Sequence, residues 1–285
     1  MRVAHFFTVD VEEHFQVSAF EGAVCRSDWD TLESRVERNV EELLSLLARY
    51  EAKATFFVLG WVAERRPAVV RAIAEAGHEV ASHGQDHRRV THQTASQFRE
   101  SVRRSKDVLE SQIGAPVIGF RAPSFSIVPG REWAFDVLFE EGYRYDSSLF
   151  PIHRPGGYGY PSAPRQPHWV GNVDAPILEL PLTTLRTWGW NVPASGGAYF
   201  RIFPYALTRA ALADHESRGV PGMFYVHPWE VDPDQPRLPV PLGAQLRHYT
   251  GLRRTARRLA RLLGEFRFTA VRDRWSQMAP PGSGR

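Results

Sequence analysis

The chain has 285 residues, 43% of them hydrophobic, with 8 Trp, 9 Tyr and 17 Phe, enough apolar material for the core of one α/β barrel or of two small domains. Lys and Arg number 35 against 32 Asp and Glu, a net charge of only +3, which does not imply a nucleic-acid partner. Cys25 is the single cysteine, so a disulfide scaffold is excluded.

The opening residues Met1–Phe7 contain no secretory apolar segment, and the longest near-apolar run, Ala54–Ala63, is about half of what a membrane-spanning helix needs. A cytoplasmic protein without a transmembrane segment is the expectation. Oligomeric state, a homo-oligomer included, is left open.

Val3–Val9 reads as a first strand that delivers Asp10 and Glu12 to its carboxyl edge. Residues two apart on an extended segment point the same way, so both carboxylates can face one cavity. Leu32–Tyr50 has apolar residues at helical period, Ala54–Leu59 is a second strand, and Pro67–Ala76 is a helix closed by Gly77. His78–Ser82 is a third strand and runs directly into Ser82-His83-Gly84-Gln85-Asp86-His87. Two imidazoles four residues apart reach one point if about one helical turn separates them, a spacing suited to a divalent ion whose third ligand comes from the acidic cluster Asp10-Val11-Glu12-Glu13. Taken alone, such a pair is more often solvated or capping histidine.

The alternation continues through a helix at Ser96–Ile113, a strand at Val117–Phe120 ending in Arg121-Ala122-Pro123, a helix at Trp133–Glu141, and Gly142–Tyr145 leading into Asp146. Strands alternating with helices predict a parallel sheet or α/β barrel, with its active face at the strands' carboxyl ends. Pro151–Asn172, with five Pro, reads as a long loop, and Trp188–Tyr199 as a second aromatic, glycine-rich excursion. Between them Ile177–Leu182 is a strand. Thr208–Arg218 is helical, and Gly222–Val226 is a strand ending in His227-Pro228-Trp229-Glu230. Leu246–Phe266 reads as one basic amphipathic helix, packed on the barrel in preference to lying on a membrane surface, with a last strand over Phe266–Val271.

Together these clusters resemble the five motifs of the polysaccharide deacetylases, the NodB-homology carbohydrate esterases. Thr8–Glu12, His83–His87, Arg121-Ala122-Pro123, Asp146 with its serines, and Val226-His227 stand for the five in order. One departure is evident: the usual first motif has adjacent aspartates, whereas Val11 follows Asp10 here and the acid returns at Glu12, as in the allantoinase-like branch. The wording around His227–Glu230 and Ser195–Arg201 resembles the subgroup that accompanies exopolysaccharide and exosortase gene clusters.

The resemblance implies a distorted (β/α) barrel of about seven strands in a single domain over residues 1–273. Loops at 150–205 would be inserted on the substrate side, 236–273 would be a C-terminal extension, and 274–285 a disordered tail. It implies hydrolysis of N-acetyl groups on an amino-sugar polymer or precursor, with Glu12, His83 and His87 holding a divalent ion, most simply zinc. Asp10 would be the base, His227 the acid, Arg121 the residue orienting Asp10, and Asp146 the residue orienting His227. Tyr145, Trp229 and Pro123 would contact the sugar. The competing expectations are a cyclic-amide or formamide hydrolase and a silent carbohydrate-binding relative.

Overall fold

A computed structural model describes residues 3–153 and 158–277. Its strands are β1 (Ala4–Val11), β2 (Thr55–Val58), β3 (Glu79–Ser82), β4 (Gly119–Phe120), β5 (Tyr145–Asp146), β6 (His168–Val170), β7 (Ile177–Glu179), β8 (Thr184–Thr187), β9 (Trp190–Pro193), β10 (Met223–Val226) and β11 (Arg267–Thr269). Its helices are α1 (Val36–Arg49), α2 (Gly60–Arg65), α3 (Pro67–Glu75), α4 (Ala95–Ile113), α5 (Trp133–Glu140), α6 (Gly197–Ile202), α7 (Tyr205–Ser217), α8 (Leu242–Tyr249) and α9 (Leu252–Glu265).

β1 lies at the heart of a sheet ordered β10-β1-β2-β3-β4-β5-β7-β6, with β11 also paired to β1. Every pairing is parallel except β6 with β7. Strands covered on both faces need no polar side, which is why Phe56-Phe57-Val58 and Met223–Val226 read as continuous apolar runs. Beyond β7 the chain swings back beside β10: Met223 N donates to Thr183 Oγ1 at 2.7 Å and Tyr225 N to the Ser195 carbonyl at 2.8 Å. The sheet is therefore curled into an incomplete barrel.

Strand alternation divides the core in two. Phe7, Val9 and Val11 point outward under the helices with Leu43, Leu47, Phe98 and Leu259, whereas Phe6 packs inside the curl with Phe57, Tyr145 and Leu178. Asp10 lies two residues from Thr8 and four from Phe6, and so shares the inner face. Val11 belongs to the helix-covered face, which places the next inward acid at Glu12 and gives the departure from adjacent aspartates a local reason.

Where the structure differs from the sequence expectations, the causes are local. The Pro-rich stretch contributes β6, the antiparallel edge strand. The second excursion supplies a separate hairpin, β8–β9, whose Trp188-Gly189 turn takes positive φ at both residues, and then the short α6. The basic helix is broken at Gly251 (φ +84°), where an added Cβ would lie 2.6 Å from the Arg201 carbonyl. α9 buries Leu252, Leu259, Leu262 and Leu263, so its Arg face is the solvated side of a packed helix. Trp275–Gln277 form a short 3-10 turn with Trp275 against the inner core. The remainder of the expected tail, from residue 278, lies outside the described residues. No described helix is long and apolar enough to cross a membrane.

Candidate metal and acid–base site

Asp10, Glu12, His83, His87, His227 and Trp229 line one cavity of about 290 Å³ at the carboxyl ends of β1, β3 and β10. The two histidines do not meet through a helical turn. Gly84 (φ +76°) and His87 (φ +54°) both adopt left-handed backbone, and this folds a tight loop that brings the ring centroids within 5.5 Å. The loop is docked on the start of α2: Gly60 N donates to the Gly84 carbonyl at 2.9 Å and Trp61 N to the Gln85 carbonyl at 2.8 Å. A Cβ at Gly60 would displace the end of the Gln85 side chain, whose oxygen would lie 2.0 Å away.

His83 Nδ1 lies 2.8 Å from the Arg121 carbonyl. A carbonyl only accepts, so Nδ1 carries the hydrogen and the Nε2 lone pair is free for a ligand. Burial pushes this imidazole down to about 4, which keeps it neutral. Glu12 Oε1 accepts from the Trp229 indole N–H at 3.1 Å. Its Oε2 sits 2.7 Å from His87 Nε2 without hydrogen-bond alignment, and Oε2 and His87 Nδ1 are both buried without a hydrogen-bond partner among the described residues. One donor atom each from Glu12, His83 and His87 fall within 4.8 Å of one another, the convergence expected of ligands that share an ion. Burial alone would raise the Glu12 carboxyl, but the imidazoles of His87, His227 and His83 outweigh it and hold it at about 2.

Asp10 Oδ1 accepts from Arg121 Nη1 at 2.6 Å. The guanidinium also donates to Thr8 Oγ1 and to the Ser147 carbonyl and hydroxyl, and its carbon lies 4.2 Å from the Phe57 ring centroid. Across the cavity, His227 Nε2 is 4.0 Å from Asp10 Oδ2 and 3.7 Å from Glu12 Oε1. Burial opposes protonation of His227, yet the carboxylates of Glu12, Glu230 and Asp10 prevail and raise it to about 9.

The carboxylate behind His227 is Glu230, whose Oε2 lies 3.0 Å from His227 Nδ1 and accepts the His227 backbone N–H at 2.9 Å. Asp146, expected in that place, is directed elsewhere. It accepts from Ser148 N and Oγ and pairs with Glu179, its register partner on β7. Burial raises both carboxyls of that pair, and the Asp146 charge raises that of Glu179 further. Asp146 reaches the site only through Ser148, whose hydroxyl accepts the Ala122 N–H beside Arg121. Tyr145 does not wall the cavity: it is buried inside the curl and donates to Glu79 Oε1 at 2.8 Å. Pro123 packs beside Gly84, and its neighbours Ser124 and Phe125 line the cavity instead. Trp229 does line it, stacked between His227 and His248 at centroid distances of 4.9 and 4.1 Å.

Glu230 and Arg201 are the residues to which sequence reasoning assigned no role. Arg201 Nε donates to Glu230 Oε1 at 2.5 Å, and its other nitrogens donate to the carbonyls of Arg247, His248 and Thr250. The available signal was an acid three positions after His227 in a segment that turns back on itself; the role of Arg201 is set by tertiary contacts alone.

Residues 28–129 match the family model for polysaccharide deacetylase, and residues 147–276 match a domain of unknown function, DUF3473. The histidine loop and Arg121 fall in the first segment and His227, Glu230 and Arg201 in the second, so the cavity is built across both. A peptidoglycan deacetylase of Helicobacter pylori is 30% identical over 115 residues, 40% of this chain and 38% of that relative; the chain thus spans well under half of the relative's length. Among solved structures, a Mycobacterium smegmatis protein assigned to the polysaccharide deacetylases superposes with a TM-score of 0.64 at 20% identity, covering 99% of this chain and 94% of its own. Puue allantoinase superposes with a TM-score of 0.59 at 20% identity, covering 98% and 92%. At that identity both comparisons speak to the fold. Residues 28–129 are thus similar to the polysaccharide deacetylase family, and the whole chain shares the curled-sheet fold of the Mycobacterium smegmatis and Puue structures.

Proposed function

We propose that residues 1–273 work as one metal-dependent deacetylase domain, hydrolysing the acetamide of an amino-sugar polymer or its precursor. The observation that carries this is the convergence of Glu12, His83 and His87 beside an Arg-held Asp10 and opposite His227. Two imidazoles and a carboxylate suit zinc, and these three residues would hold it. Such an ion, when bound, supplies Lewis-acid polarisation of the acetamide and a lowered pKa for an attacking water.

The chain's own groups supply the proton chemistry. Asp10, hydrogen-bonded to the Arg121 guanidinium, takes the proton from the attacking water. Protonated His227, held by Glu230, gives a proton to the departing amine, without which the carbon–nitrogen bond would break to a very poor leaving group. The products are acetate and a free amino sugar. Trp229 fixes both Glu12 and the His227 ring through its indole N–H and its stacked face.

Incubation of the protein with N-acetylglucosamine oligomers, before and after chelation and zinc return, tests the reading: acetate release is expected only with the metal restored. Opening of allantoin without acetate release from any oligomer would replace it with a cyclic-amide hydrolase, the reading favoured by an acid two positions after Asp10 and by the fold shared with Puue allantoinase.

A further inference from the structure

The cavity continues beyond the ion-binding end towards α6 and α8, where three arginines line it: Arg89, Arg201 and Arg247. Two of them are neutralised. Arg89 Nη2 is 3.0 Å from Glu21 Oε2, and Arg201 is saturated by Glu230 and three backbone carbonyls. Arg247 differs. Among the described residues its guanidinium is in no ion pair with a carboxylate, and Nη2 donates to the Tyr158 hydroxyl at 2.9 Å. That hydroxyl is 2.7 Å from the Tyr199 hydroxyl. The backbone carbonyl of Arg247 is itself clamped by Arg201 at 3.0 Å, so α8 presents this side chain to the cavity from a fixed position.

A half-buried cation without a counter-charge, in a site that otherwise spends its acids on the opposite end, favours a negatively charged ligand. Guanidinium forks match carboxylate and phosphate oxygens. We infer that Arg247, held in place at the cavity wall, forms a subsite for an anionic group of the glycan, a sugar carboxylate or a phosphate, next to the acetamide that reacts. This rests on the reading of the cavity as a glycan site and names its substrate class as acidic rather than neutral. Burial works against the Arg247 charge, but the neighbouring Tyr158, with its hydrogen bond, outweighs it, and the net shift of the guanidinium is upward.

The test is calorimetric titration with three probes: N,N′-diacetylchitobiose, a glucuronic acid–N-acetylglucosamine disaccharide and UDP-N-acetylglucosamine. Wild type, Arg247→Met and Arg247→Lys are compared, with melting temperature as the check on folding. At least one anionic probe is expected to bind wild type about tenfold or more tightly than diacetylchitobiose. That preference should vanish in Arg247→Met and survive in part in Arg247→Lys, with the neutral probe unaffected. Whichever anionic probe binds better tells carboxylate from phosphate. A preference that persists in Arg247→Met, or equal binding of all probes by wild type, overturns the subsite. Acetate release, read in parallel, keeps the two ideas apart: deacetylation without anion preference sinks the subsite alone, and anion preference without acetate from any probe sinks the deacetylase reading alone.

Discussion

Asp10 and Arg121 are joined at 2.6 Å between β1 and the end of β4, in a place where neither side chain is more than 2% exposed. The guanidinium rests on Phe57 and holds both serine oxygens of residue 147, so it arrives pre-shaped for one carboxylate geometry. Replacing it with Met leaves the Asp10 charge buried and uncompensated, which costs about 3–5 kcal/mol. Arg121→Met is expected to lose much of its folding stability in denaturant titration. Arg121→Lys, which retains charge without the fork, should fold and show a lowered kcat.

Glu230 and not Asp146 is hydrogen-bonded to His227, and the two acids can be separated experimentally. Glu230→Gln keeps the shape but removes the carboxylate from both His227 and Arg201, and partners of this kind are worth roughly 10–100-fold in activity. A fall in kcat of that order, with metal content unchanged, is the expected outcome of steady-state assays. Asp146→Asn leaves the His227–Glu230 hydrogen bond in place, so its kcat should stay within roughly threefold of wild type. The reverse ranking would restore Asp146 to the role the family motif suggested.

Stability should weaken in mild acid. His5 Nδ1 accepts the Gly222 N–H at 2.9 Å and His78 Nδ1 accepts the Ala54 N–H at 3.2 Å, bonds that only the unprotonated nitrogen can make. Burial pushes both down to about 4, assisted at His5 by His215 and at His78 by Lys53 and Arg272. A group whose folded pKa lies below its unfolded value of 6.5 stabilises the fold fully above 6.5, and that contribution is lost as pH falls towards 4. The loss is up to about 3 kcal/mol per histidine at the bottom of that window. Urea midpoints measured between pH 7 and pH 4.5 should decline, and His78→Asn, which offers a side-chain oxygen in place of Nδ1, should flatten the decline.

The break between α8 and α9 is structural. Gly251→Ala meets both a left-handed backbone and the Arg201 carbonyl, so a melting temperature lower by several degrees is expected, at about 2–4 °C per kcal/mol in a chain of this size. An unchanged melting temperature would mean that the two helices are continuous.

Much of this was legible because it depended on local patterns. Seven of the parallel strands, β1–β5, β7 and β10, were marked by apolar runs with polar residues at their ends, and the inward pair Asp10 and Glu12 followed from strand alternation. The hairpin β8–β9 was not, since Trp188-Gly189 lacks the usual Asn-Gly turn signature and Trp188 is 95% exposed. Gly251 interrupts an otherwise perfect helical period, and nothing local announces the Arg201 carbonyl above it. Asp146 has hydrogen-bond partners other than the one expected, because motif order says which residues lie at strand ends, whereas their partners are decided by which neighbouring strand lies alongside.

A diffraction experiment at the zinc absorption edge, on crystals of protein purified without chelator, tests the central convergence most directly. A single anomalous peak within bonding distance of Glu12, His83 and His87, lost together with acetate release in His83→Ala, is the expected result. A peak held by other residues, or full acetate release from protein shown by elemental analysis to hold no metal, would contradict it.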